Sequence, residues 1–89
     1  MVELLKVRNN SKPNAVAGAI ANILKTQKEL KVQAIGAGSI NQAIKAIAIA
    51  RSFLILSGKD LSCIPIFAEV MIENQCKTAI CFIVKRFDK

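Results

Sequence analysis

The chain has 89 residues, 53% of them apolar, and thirteen Lys and Arg against six Asp and Glu give it a formal charge of +7. That length holds one domain, residues 1–89, and excludes two, since a domain generally needs roughly 50 residues or more. The absence of histidine excludes the commonest general base and the usual mixed zinc site, so no metal and no cofactor are expected.

In chain order, LLKVR at residues 4–8 is β-compatible and is closed by the polar turn NNS at 9–11. Pro13 suits a helix's first turn, and Val16, Ile20, Ile23 and Leu24 recur at helical spacing, which predicts a helix over residues 13–26. After a charged stretch, VQAIG at 32–36 predicts a second strand ending in a glycine turn. From Ser39 a long helix is predicted to about residue 53, with Ile40, Ile44, Ile47, Arg51 and Leu54 on one stripe and alanines filling in.

The period then changes from 3.6 to 2. Residues 61–72 predict a third strand, with Ile64, Ile66, Ala68, Val70 and Ile72 on one side and Cys63, Pro65, Phe67, Glu69 and Met71 on the other. Pro65 cannot donate to a ladder and belongs at an edge or bend. A tight connection at 73–76 leads to a fourth strand over 78–84, paired as an antiparallel hairpin. The order β-α-β-α-β-β predicts an α+β two-layer sandwich, a mixed four-stranded sheet with both helices on one face, because parallel crossovers are right-handed. Cys63, Phe67 and Met71 are expected on the uncovered face. That face and the Ile49 side of the second helix are the candidate subunit contacts of a dimer or tetramer.

No charge-free run approaches the roughly 20 apolar residues of a membrane span. The opening MVELLK lacks an apolar leader core, so the expected compartment is the cytoplasm. Cys63, Cys76 and Cys81 form no C-x-x-C pair and read as reduced, half-buried thiols. With no His or Tyr and no serine in a G-x-S-x-G context, no catalytic set is legible and no enzyme activity is expected.

The most informative segment is the strand-turn-helix unit at 32–50. Gly36 and Gly38 free the backbone, and the amides of Ser39, Ile40 and Asn41 are expected to open the helix, with Ser39 as a second donor or as N-cap. The turn reads equally as an anion site and as a tight connection. It is neither a dinucleotide fingerprint, since Asn41 stands where a third glycine is needed, nor a P-loop. Asn14, Asn41 and Gln42 fall in the first turns of the two helices near Lys12 and Lys45, at the carboxyl ends of parallel strands where open α/β sheets bind ligands. Phe53, Phe67, Phe82 and Phe87 lie mostly in apolar runs, so base stacking is not encoded and contact with a polyanion would be through phosphate.

PNAVAGAI at 13–20, VQAIGAGSINQAIKAIAIAR at 32–51, DLSCIP at 60–65 and KTAI at 77–80 resemble the stage V sporulation protein S family over nearly the whole chain. The resemblance implies a bacterial regulatory protein of Alba-like fold, a dimeric or higher assembly, and DNA or RNA binding. A more distant likeness to Alba chromatin proteins lies in Lys12-Pro13 and in Ile40-Asn41-Gln42-Ala43. It carries nucleic-acid contact onto Lys12, Asn41, Lys45 and Lys77, beside Asn14, Gly36, Gly38, Ser39 and Gln42 from the anion-site reading. Two further readings stand beside this one: an oligomeric protein-interaction scaffold without nucleic acid, and a sensor of a small phosphate ligand.

Overall fold

The computed structural model describes residues 2–88; Met1, part of the leader reading, lies outside them. The elements are β1 (Glu3–Val7), α1 (Pro13–Leu24), β2 (Glu29–Ala34), α2 (Ala37–Leu56), β3 (Lys59–Ile72) and β4 (Gln75–Asp88). They form a four-stranded sheet in the order β1-β2-β4-β3. β1 and β2 run parallel, and β4 is antiparallel to both its neighbours.

The pairing register identifies the buried face. Leu30 opposes Val84, Val32 opposes Phe82 and Ala34 opposes Ile80. With Val7, these side chains form one cluster with Ala17, Ile20 and Leu24 of α1 and Ala43, Ala46, Ile47, Ala50 and Leu54 of α2. Both helices therefore cover the same face, as the order of elements predicts.

Boundaries shift where tertiary partners act. α1 stops at Leu24 rather than 26, where Nη1 of Arg86 donates to the carbonyls of Leu24 and Lys25 at 2.6 and 3.4 Å. A guanidinium on the last carbonyls satisfies them in place of another turn. β2 begins three residues early because Glu29 pairs with Lys85, whose ammonium lies 3.7 Å from its carboxylate. α2 opens at Ala37, ahead of Ser39, because Gly36 at φ +87° accepts the Ile40 amide at 3.0 Å. The hairpin ladder runs in full from Lys59↔Asp88 to Ile72↔Gln75, since Glu73 and Asn74, at φ 51° and 64°, make a two-residue turn whose twist matches the strands.

Two expected faces are corrected. Cys63 opposes Val84 and Pro65 opposes Phe82, so the odd row of β3, including Phe67 and Met71, lies on the helix side. Ile64, Ile66, Ala68, Val70 and Ile72 hold the open face instead. Phe67 is still 78% exposed, because β2 pairs with β4 only as far as Ile80 and the rest of the hairpin projects as a free arm. The buried stripe of α2 is Ser39, Ala43, Ala46, Ile47, Ala50 and Leu54, whereas Ile44 and Arg51 point outward. Small residues let α2 approach α1, its principal neighbour. Ile49, expected at the surface, packs partly buried against the core.

Among the described residues one helix, α2, is long and apolar enough to cross a membrane, with a mean hydropathy of 1.3, contrary to the expectation from charge-free runs. It carries Lys45 and Arg51 and buries its small residues in the core.

Candidate functional site

β1 and β2 end on the same side of the sheet, and each hands the chain to a helix there. The loop from Arg8 to Lys12 is a closed turn: the Ser11 amide donates to the Arg8 carbonyl at 3.0 Å, and the Arg8 amide donates to Ser11 Oγ at 2.8 Å. Nε2 of Gln42, one turn into α2, donates to the Ser11 carbonyl at 2.9 Å. Gly38 lies so close to Asn9 that a Cβ at residue 38 would collide with the Asn9 side chain. The Gln42 bond joins the opening of α2 to the β1–α1 loop, and Gly38 leaves room there for the exposed Asn9 side chain.

Two helix openings consequently sit side by side. Neither Lys12 nor Gly36, their N-caps, makes a side-chain cap hydrogen bond. The first amides of a helix have no intrahelical acceptor, and the helix dipole is positive there. The amides concerned in α2 are those of Ala37, Gly38 and Ser39. Ile40 already donates to Gly36, so Ile40 and Asn41 belong to the helix interior, a correction to the expected donor set.

Lys12, Asn14, Gly36, Gly38 and Asn41 are exposed at this end of the molecule. Ser39 is only 7% exposed and is not the N-cap, and its remaining exposure borders the cleft between the end of β2 and the hairpin arm. Gln42 is half-buried and spends its amide on the Ser11 carbonyl, acting as a strut. Lys45 is exposed about two turns along α2, and Lys77 is exposed on the hairpin arm opposite Val70, apart from the loop-and-helix cluster.

Three ion pairs occur among the described residues, and Lys25, Lys28, Lys31 and Lys59 enter none of them. Asp60 receives Nε and Nη2 of Arg51 at 2.7 and 3.1 Å, Lys85 meets Glu29, and Nε of Arg86 lies 3.4 Å from Asp88. These pairs gather where β2 and β3 begin. The Asp60 carboxylate also accepts the Leu61 amide at 2.8 Å, and its hydrogen bond and charge raise the Arg51 guanidinium above its ordinary value. At the opposite end, among the described residues, Lys6, Arg8, Lys12 and Lys45 enter no ion pair. Lys6 and Arg8 were not singled out from the sequence. Their signal was the alternation Leu5-Lys6-Val7-Arg8, which puts both cations on the open side of a strand whose other side is core.

On the arm, the Cys76 thiol donates to Glu69 Oε2 at 2.7 Å and Thr78 Oγ1 donates to Oε1 at 3.4 Å. That hydrogen bond, with lesser help from burial and the carboxylate charge, raises the thiol above its ordinary range. Cys63 and Cys76 are exposed and Cys81 is buried, and all three are free. No group of three or more Cys, Asp or Glu able to hold a metal occurs among the described residues. A family model described as stage V sporulation protein S (SpoVS) matches residues 3–87.

Proposed function

The chain belongs to the stage V sporulation protein S family and is thereby a sporulation-related protein; from that premise we propose that it is a non-enzymatic regulator that binds DNA or RNA through phosphate. The observation that carries this reading is the placing of unpaired cations on the end of the molecule where two helices open. Lys12 stands at the opening of α1 and Lys45 about two turns along α2, and neither enters an ion pair among the described residues. Phosphates dock where ammonium groups and unpaired amides converge, and the energy comes from released counterions.

Lys12, Lys45 and the amides of residues 37–39 form the centre of this surface, flanked by Asn14 and Asn41. Lys77 adds a contact from the arm. Ser39 and Gln42 support it from within as packing and strut. Such contacts position a nucleic acid without reading its bases.

The test is fluorescence anisotropy with single- and double-stranded DNA and RNA across a salt series. Lys12→Glu with Lys45→Glu is expected to weaken binding on the order of tenfold or more for every sequence alike, and to lower the log–log salt slope by about 2, one per lost phosphate contact. Parental affinity in the double variant sinks this site.

A scaffold without nucleic acid is favoured by a different observation, the exposure of Leu56 at 87% and Phe67 at 78%. Salt separates the two readings: complexes held by apolar burial survive a rise in salt that dissolves phosphate contacts.

A further inference from the structure

Where the hairpin arm passes the end of β2, it encloses a cleft of about 410 Å³. Lys6, Arg8, Gln33 and Ile35 border it from the parallel strands, residues 70–72 border it from the arm, and Val7 and the buried Ser39 of α2 close it on the helix side. Register and alternation bring the first four, with Val70 and Ile72, to the open side of the sheet, while Val7, Ser39 and Met71 border the cleft from the helix side. Lys6 pairs with Gln33, each next-but-one residue (Arg8 and Ile35) falls on the same side, and Val70 and Ile72 belong to the open-face row of β3.

The lining is chemically divided. Two cations and an amide stand opposite aliphatic side chains, and no carboxylate borders the cleft. The volume falls within the range of small-molecule sites, about 300–1,000 Å³. An inorganic anion would leave the aliphatic wall unused, and a purely apolar ligand would strand the cations. A compact molecule with a doubly charged head and a flat, mostly apolar body uses both.

We propose that this cleft binds a nucleoside monophosphate. Arg8 forks two phosphate oxygens and Lys6 supplies a point charge, matching the roughly −1.5 to −2 charge of a phosphate monoester near neutral pH. The base lies against Val70 and Ile72. Gln33, which both donates and accepts, meets a polar edge of the base or ribose. The cleft shares neither Lys12 nor Lys45 with the polyanion surface but adjoins it at Ser39, so Lys12→Glu with Lys45→Glu, which is expected to bind monophosphate as the parent does, separates this inference from that reading.

The experiment titrates the whole chain with the four nucleoside 5′-monophosphates, adenosine and inorganic phosphate, by calorimetry with amide chemical-shift mapping. At least one monophosphate is expected to saturate, with shifts centred on Gln33 and Ile72, while adenosine and inorganic phosphate bind on the order of tenfold weaker or less. Lys6→Glu with Arg8→Glu, or the milder K6Q/R8Q if the reversal disturbs the amide spectrum, is expected to lose on the order of tenfold in affinity. Lys25→Glu with Lys28→Glu changes net charge equally at the other end and is expected to bind as the parent does. The proposal is overturned by no saturation with any of the four, by inorganic phosphate binding equally well, by shifts centred elsewhere, or by the distant charge reversal weakening binding as much as the cleft pair.

Discussion

Glu69 is a carboxylate whose partners are a thiol and a hydroxyl rather than a cation. The arrangement holds Cys76 in its neutral form, because ionising the thiol would place two negative charges at hydrogen-bond distance. A raised thiol value means less thiolate at any given pH below it and a reactivity curve displaced toward alkaline pH. Glu69→Gln should therefore make Cys76 react faster with a disulfide reagent near pH 8 and shift its rate profile to lower pH, read against Cys76→Ser to subtract Cys63. An unchanged profile would show that Glu69 does not control the thiol. Cys63 is also raised, through burial alone, so the substitution should leave it untouched. Arg86 illustrates another residue-scale effect: one guanidinium ends α1 through two carbonyls and approaches Asp88. No local pattern in residues 13–26 announces that arginine, which lies 62 positions from the Leu24 carbonyl it takes.

Among the elements, the helices respond to glycine in different ways. Gly18 lies exposed in the middle of α1, and a Cβ there meets nothing within 4 Å. Gly18→Ala should stabilise the fold by about 0.5–1 kcal/mol through reduced backbone entropy in the unfolded chain and better helix propensity, raising Tm by a few degrees. Gly38 is helical too, yet Gly38→Ala must push Asn9 aside. It should gain less than Gly18→Ala or lower Tm slightly, because the exposed Asn9 side chain must turn away, and any change in the proposed nucleic-acid binding reads whether that side chain takes part. Thermal melts of the two variants, with anisotropy for the second, check both expectations; a Gly38→Ala gain as large as that of Gly18→Ala would remove the close-approach role. The hairpin shows how an element's length escapes its own pattern. Residues 75–77 and 85–88 look polar in isolation but are strand because each has a ladder partner on β3.

The whole molecule is elongated, with extents of 43 × 25 × 17 Å, because the arm projects past the helical layer. Its surface carries Leu4, Phe53, Leu56, Ile64, Phe67 and Met71 exposed by 45% or more. Apolar surface on this scale marks contact sites in small proteins. We expect the chain to self-associate, so that light scattering returns a mass above the 9.6 kDa of one chain, with the excess insensitive to moderate salt. A monomer at tens of micromolar would count against assembly and against the scaffold reading. Charge belongs to the same scale: +7 on so small a body gives a field that favours polyanions, and the proposed docking place rests on Lys12 and Lys45 rather than on that total.

By itself the sequence determined the element types, their order, the mixed sheet with helices on one face and the family, because these follow from local periodicity, turn chemistry and motif. It placed Lys12, Asn14, Gly36, Gly38 and Asn41 at one end, since consecutive parallel strands must hand over to their helices on the same side. Only the tertiary structure decided which row of β3 faces inward. Both rows are apolar, so period 2 defines two faces without ranking them, and the choice comes from pairing with β4. It also decided that Ser39 is buried, that Gln42 is a strut, and that Lys6 and Arg8 share a cleft with the arm. Those outcomes depend on groups that meet across dozens of residues, where spacing along the chain carries no information about distance in space.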